Sequence, residues 1–241
     1  MAGFKTHITT STVLGIGYGA VGYLLYQMPV ETCLLAGGMC SVSGMIPDLD
    51  SDSGVPVRET VSLVAATTPM LMMDRFQHMH WSHERIVLVA AGIYLAVRFG
   101  VAGIFKRFTV HRGMWHSVPA MFIAGLLAFL VCSSENINWR LFKSCAVMLG
   151  FFSHLLLDEI WSIEIRYGIP RFKKSFGTAI KFWSDSAWAN FSTYAKLAVL
   201  AILAVGDPVM MQRFGYHSPN AVQSARTAIE NVIGEGEKVV R

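Results

Sequence analysis

Long apolar runs broken by short polar turns recur almost from one end of the chain to the other. They lack the strict alternation that barrel strands require. A bilayer core of about 30 Å takes roughly 20 mostly apolar helical residues to cross. Segments 12–28 and 30–46 form a first pair, separated by Pro29, which cannot continue a helix without losing a backbone donor. Segments 60–73, containing Pro69, and 86–105, containing Arg98, form a second pair, and 118–132, 142–161 and 194–211 complete the series. Backbone exposed to lipid must satisfy its own hydrogen bonds, so the pattern predicts an all-α, polytopic transmembrane helical bundle of about six or seven spans. The corresponding organisation is one membrane domain over 1–212 and a polar C-terminal tail over 213–241.

Composition agrees. The 241 residues are 53% hydrophobic and 15% charged, whereas a soluble domain carries about a quarter charged residues; mean hydropathy is +0.45. Lys5 ahead of an apolar run has the look of a secretory signal. No small-x-small cleavage site closes it, so the first span is read as uncleaved and keeps His7. Cys33, Cys40, Cys132 and Cys145 lie in or at the ends of apolar spans without Cys-x-x-Cys spacing, as packed small hydrophobes do.

Following the chain through successive spans brings the N-terminus, the turn after the second span, the loop before 118 and the end of 142–161 to one side. That side holds ten basic residues: Lys5, Arg58, Lys106, Arg107, Arg112, Arg166, Arg171, Lys173, Lys174 and Lys181. The opposite loops are assigned Arg75, Arg85, Arg140 and Lys143. The positive-inside rule makes the first side cytoplasmic. The net charge of +4 is then a topology signal and not a nucleic-acid patch. The basic run Arg171-Phe172-Lys173-Lys174 is either an ordinary cytoplasmic flank or a contact for anionic headgroups.

Four polar motifs fall on that same side. His154 and Asp158 are four residues apart, hence on one helical face, in apolar surroundings where ionisable groups usually mark function or a specific pairing. A His-Asp hydrogen bond between helices is the structural alternative. Asp48 and Asp50, one residue apart in a chain reversal, offer hard oxygen ligands, although Asp and Ser also serve as turn and capping residues there, Asp52 among them. His111 and His116 bracket a loop entering a span, with Arg112 between them as a candidate phosphate ligand or a topogenic charge. His7, an ordinary terminal histidine in isolation, gains meaning from its side. A second set, His78, His80, His83 and Glu84, lies across the membrane and reads as an interfacial loop anchored by Trp81.

Together the ordered motifs His7, Ile46-Pro47-Asp48-Leu49-Asp50, His111-Arg112-Gly113-Met114-Trp115-His116-Ser117 and Ser153-His154-Leu155-Leu156-Leu157-Asp158 resemble the membrane-bound metal-dependent hydrolase family of the YdjM type, over roughly residues 1–165. Ile46, Leu49 and Trp115 depart from the family pattern while every candidate ligand stays in place. Trp115, in place of a smaller residue, narrows or covers the site. The resemblance implies an inner-membrane hydrolase.

Seven candidate metal ligands, His7, Asp48, Asp50, His111, His116, His154 and Asp158, exceed the four of a structural zinc site. They predict one or two divalent ions, Zn or Mn/Fe. In the hydrolytic reading Asp50 is a candidate general base and Arg112 a stabiliser of substrate charge. The expected partners are membrane lipids and a lipid-derived or phosphorylated substrate, not nucleic acid. The alternative is a non-enzymatic membrane metal-binding or transport protein using the same residues.

Overall fold

The computed structural model describes residues 3–50, 55–101, 113–166, 169–172 and 177–214. The first helix, α1 (Phe4–Tyr26), stops where Gln27 turns left-handed at φ 51° and Pro29 opens α2 (Val30–Ser43). These two helices form an antiparallel hairpin, because their contacts run in opposite directions. The Ser11 hydroxyl donates to the Ser41 carbonyl at 2.8 Å, Gly15 lies against Gly37, and Gly19 against Cys33. A Cβ at Gly15 would overlap the Gly37 carbonyl. Small residues let the two backbones touch, which is how helices gain packing contacts where lipid competes equally for apolar side chains.

A 3₁₀ turn, Pro47–Asp50, leads to α3 (Val55–Leu71), α4 (Met73–His78) and α5 (His83–Leu95). A π-helical turn, Ala96–Val101, follows α5. Next come α6 (Val118–Val131) and α7 (Ile137–Ile160). An antiparallel ribbon pairs β1 (Ile163–Arg166) with β2 (Ile169–Phe172), Ile163 opposite Phe172. This ribbon is a small addition to the expected all-α architecture. The described chain ends with α8 (Ala187–Val205) and α9 (Pro208–Arg213).

The bundle is organised around α7. Its apolar window is 61% buried, against 17% for α1 and 11% for α8. The buried positions Arg140, Ser144, Val147, Gly150, Phe151, His154 and Asp158 recur at helical spacing and define its inward face. A Cβ at Gly150 would overlap the Cys40 carbonyl and Ser43 Oγ, so glycine permits the α2–α7 contact. On the opposite side, Ser144 donates to the Gly125 carbonyl of α6 at 2.6 Å. The Tyr18 hydroxyl of α1 donates to the Phe142 carbonyl at 3.0 Å, and the two rings stack.

Three helices, α1, α7 and α8, are long and apolar enough to cross a membrane; α2 and α6 are apolar but shorter, with 14 residues each. The expected six or seven spans are therefore not reached by length. Pro69 lies inside the 17 residues of α3. The helix beginning at His83 passes into the π turn after Leu95. The expected seventh span, 194–211, corresponds to α8, which begins and ends earlier because Asp207-Pro208 starts a new helix.

Arg140 and Lys143, expected in a loop, are buried in the first turns of α7. Arg140, 2% exposed, grips Asp207 through two parallel bonds, Nη1 to Oδ1 at 2.7 Å and Nη2 to Oδ2 at 2.8 Å. Arg75 adds a third bond at 3.0 Å. This clamp ties α4, α7 and the α8–α9 junction together at the end of the bundle away from His154. Burial pushes the Asp207 carboxyl up, but Arg140, the Val209 N–H and Arg75 pull it down further, leaving it below the usual carboxylate range.

Candidate metal centre

Because α1 and α7 are antiparallel, the first turns of α1 lie beside the last turns of α7. His7 is not a residue ahead of the first span, as expected, but belongs to α1 itself, and its side chain is buried. Its Nε2 is 3.3 Å from Asp158 Oδ1, and its ring stacks on His154 with centroids 3.7 Å apart. His154 and Asp158 occupy successive turns of α7 as their spacing predicts, with His154 Nε2 3.9 Å from Asp158 Oδ2. The turn after α2 supplies Asp48, whose Oδ1 is 3.6 Å from His154 Nε2 and 3.8 Å from His116 Nε2. His116 directly precedes Ser117, the N-cap of α6, whose hydroxyl accepts from the Ala120 N–H, so the cap fixes the entry angle that turns the imidazole inward.

Five of the seven expected ligands thus converge. They form two overlapping groups, His7 with His154 and Asp158, and Asp48 with His116 and His154, each with ligand atoms within 4.8 Å of one another. The side chain of Asp50, together with His111, Arg112 and the run 173–174, lies outside the described residues, as does most of the 213–241 tail. His78 pairs instead with Glu135 at 3.0 Å on an exposed surface, and Trp81 stacks on Phe76. Cys33, Cys40 and Cys132 are buried and Cys145 is exposed; all four are free thiols.

The donor atoms themselves are informative. His154 Nδ1 lies 2.7 Å from the Gly44 carbonyl, which can only accept, so Nδ1 carries the proton and Nε2 presents a lone pair. That Nε2 is buried without a hydrogen-bond partner among the described residues, as is His7 Nδ1. Buried polar atoms of this kind normally carry a cost of about 1–3 kcal/mol each. A first-row divalent cation binds N and O donors at about 2.0–2.2 Å, which sets neighbouring donors about 3.0–3.6 Å apart. The observed 3.3–3.9 Å separations are within a few tenths of an ångström of that range. The described donor set fits a divalent ion.

Access and support are also defined. Asp48, its side chain 24% exposed, is the open member of the five. Burial pushes its carboxyl up, and the facing His116, His154 and His7 rings pull it down further, to below the usual carboxylate range. Trp115 acts as a brace. Its Nε1 donates to the Ile46 carbonyl at 3.0 Å, and its ring meets Phe151 edge-on, joining the His116 loop to the Asp48 turn and to α7. The Gly44 carbonyl and the Trp115 link were not visible in the motifs, because one is a backbone atom and the other a contact across 69 residues.

Exposed aromatic residues lie at the level of the cluster. The Val118 N–H donates to the Lys181 carbonyl at 3.0 Å, so the segment entering α8 lies level with His116. Phe182, Trp183, Trp188 and Phe191 along it are all exposed, as in the aromatic belts at membrane interfaces.

Apolar helices of span length, together with these exposed aromatic residues, are the features of an integral membrane protein. The family model for YdjM inner membrane protein matches residues 1–217, and the chain belongs to this family. No curated protein and no solved structure matches it.

Proposed function

We propose that the protein is a metal-dependent hydrolase of the inner membrane, acting on a phosphoester or other ester at the cytoplasmic face. The observation that carries this reading is the convergence of His7, Asp48, His116, His154 and Asp158 on one small volume. Six or seven crossings remain the reading of the apolar segments, with the cytoplasmic assignment resting on the excess of Lys and Arg. A divalent ion held there would supply Lewis acidity, polarising a substrate oxygen and making water nucleophilic near neutral pH.

The protein residues divide the remaining work. His154 is oriented by Gly44, and with Nδ1 committed its ring offers one nitrogen to one ion. The five described donors therefore suit a single ion, and a second would draw on Asp50 and His111. Asp48 faces the open side, and it or Asp50 accepts a proton from water. Arg112 stabilises negative charge on the substrate.

Transport is the weaker alternative. Between Lys143 and His154, the inward face of α7 is Ser144, Ala146, Val147, Gly150, Phe151 and Ser153, small or apolar residues without a charged trail.

The test is metal content of the purified protein, together with a screen of lipid and soluble phosphoesters, for wild type, His154→Ala and Asp158→Ala. Stoichiometric metal and turnover, both lost in the variants, are expected. Metal without turnover on any ester would refute the hydrolase, and protein purified without metal would refute the centre.

A further inference from the structure

Beside the histidine and aspartate cluster, α1, α2 and α3 diverge to leave a groove of about 350 Å³, within the range of roughly 300–1,000 Å³ of small-molecule sites. Its walls are Phe4, Ile8, Val42, Met45 and Leu63, with Thr60 and Glu59 completing the lining. The lining is therefore almost wholly apolar. Glu59 is exposed and held by Arg58 at 3.3 Å, so its charge faces outward from the rim.

Two chain neighbours place this groove beside the site. Ile8 follows His7 along α1, and Met45 follows Gly44, whose carbonyl orients His154. The mouth lies on the outer surface of the bundle, where Phe4 is 42% and Leu63 47% exposed. In a protein of this class such apolar residues meet lipid tails. The groove thus opens toward hydrocarbon and lies beside the polar cluster, one residue along the chain from His7 and from Gly44.

We infer that this groove seats one acyl chain of the substrate, making the substrate class a membrane lipid and not a soluble ester. The inference rests on the hydrolase reading above. A polar soluble ester gains nothing from five apolar walls, whereas each buried methylene favours binding by about fourfold. An acyl chain lying in the groove brings the linkage between tail and headgroup to the His7 and Asp48 end.

The full chain, reconstituted in phospholipid vesicles doped with a phosphatidylglycerol carrying a diazirine midway along one acyl chain, tests this directly. After irradiation, adducts are mapped by mass spectrometry. Labelling is expected to concentrate on Ile8, Val42 and Met45 over Leu24 and Leu25, exposed residues at the far end of α1. Leu63→Trp should fill the groove and reduce labelling at Ile8 and Val42 by about fivefold or more, since each excluded methylene weakens occupancy about fourfold. Leu63→Phe serves the same purpose if the tryptophan variant does not fold.

Metal content of the same wild-type sample separates the two readings. Even labelling along α1, or labelling unchanged by groove filling, overturns the lipid seat while bound metal keeps the centre. Selective labelling in protein that binds no metal overturns the assignment of that lipid as substrate, together with the hydrolase.

Discussion

Removing either partner of the Arg140–Asp207 clamp should destabilise the fold by unequal amounts. Asp207→Leu strands Arg140, a 2% exposed cation left with the Phe129 carbonyl at 2.9–3.2 Å and the Phe129 ring 4.3 Å away. An uncompensated buried charge costs about 3–5 kcal/mol. Arg140→Met leaves Asp207 with Arg75 at 3.0 Å and the Val209 N–H at 3.1 Å. Arg75 is partly exposed, so the expected loss is smaller, about 2–3 kcal/mol. The double variant removes both buried charges and should cost only about 1–2 kcal/mol, because a buried pair replaced by apolar groups is often close to neutral. The sum of the two single losses should therefore exceed the double loss by about 3 kcal/mol or more. Reversible unfolding by SDS in mixed micelles, followed by tryptophan fluorescence, measures all four proteins. Additive losses, or a larger loss for Arg140→Met than for Asp207→Leu, would refute the buried-clamp reasoning.

Other consequences are open to direct measurement. Because the Asp207 carboxyl is held below its usual value, its contribution to stability is complete above the ordinary carboxylate pKa, about 3.9, and is lost as pH falls through the lowered folded value. Asp207→Asn should accordingly flatten the acid limb of a stability–pH profile, and an unchanged limb would exclude this group. Gly150→Ala should separate α2 from α7 at the cost of about 1–3 kcal/mol and weaken metal retention along with it, since Gly44 and Asp48 follow directly from α2; wild-type thermal stability would remove the close contact from consideration. Trp115→Phe deletes the bond to the Ile46 carbonyl, a loss of about 0.5–1.5 kcal/mol. It should lower metal affinity severalfold in a chelator competition while metal at saturating concentration remains stoichiometric; an identical competition curve would show that this link does not position the cluster.

Much of the centre was legible because its elements use local rules. Four-residue spacing put His154 and Asp158 on one face, and counting apolar runs brought the termini of antiparallel helices to one end. The same counting misjudged helix lengths. Hydropathy alone does not register that Pro69 lies within α3, that Leu95 gives way to a π turn, or that Asp207 caps a new helix. It also misplaced Arg140 and Lys143, since an ionic residue in an apolar run is indistinguishable from a loop flank until its partner is known. That partner, Asp207, is 67 residues away in the chain. His7 shows the opposite case, a residue uninformative by itself whose place follows once α1 and α7 are known to be antiparallel.

The geometry of α7 fixes more than which residues meet. Arg140 and Asp158 are 18 positions apart on one unbroken helix, about 27 Å at 1.5 Å per residue. One end is pinned by the ionic clamp and the other carries the polar cluster, so the helix works as a depth gauge. The polar cluster cannot move along the bundle axis independently of the clamp. The spacing between clamp and cluster is thus the same in thinner and thicker membranes. Membrane thickness then decides what surrounds the cluster, through a helix with no moving part.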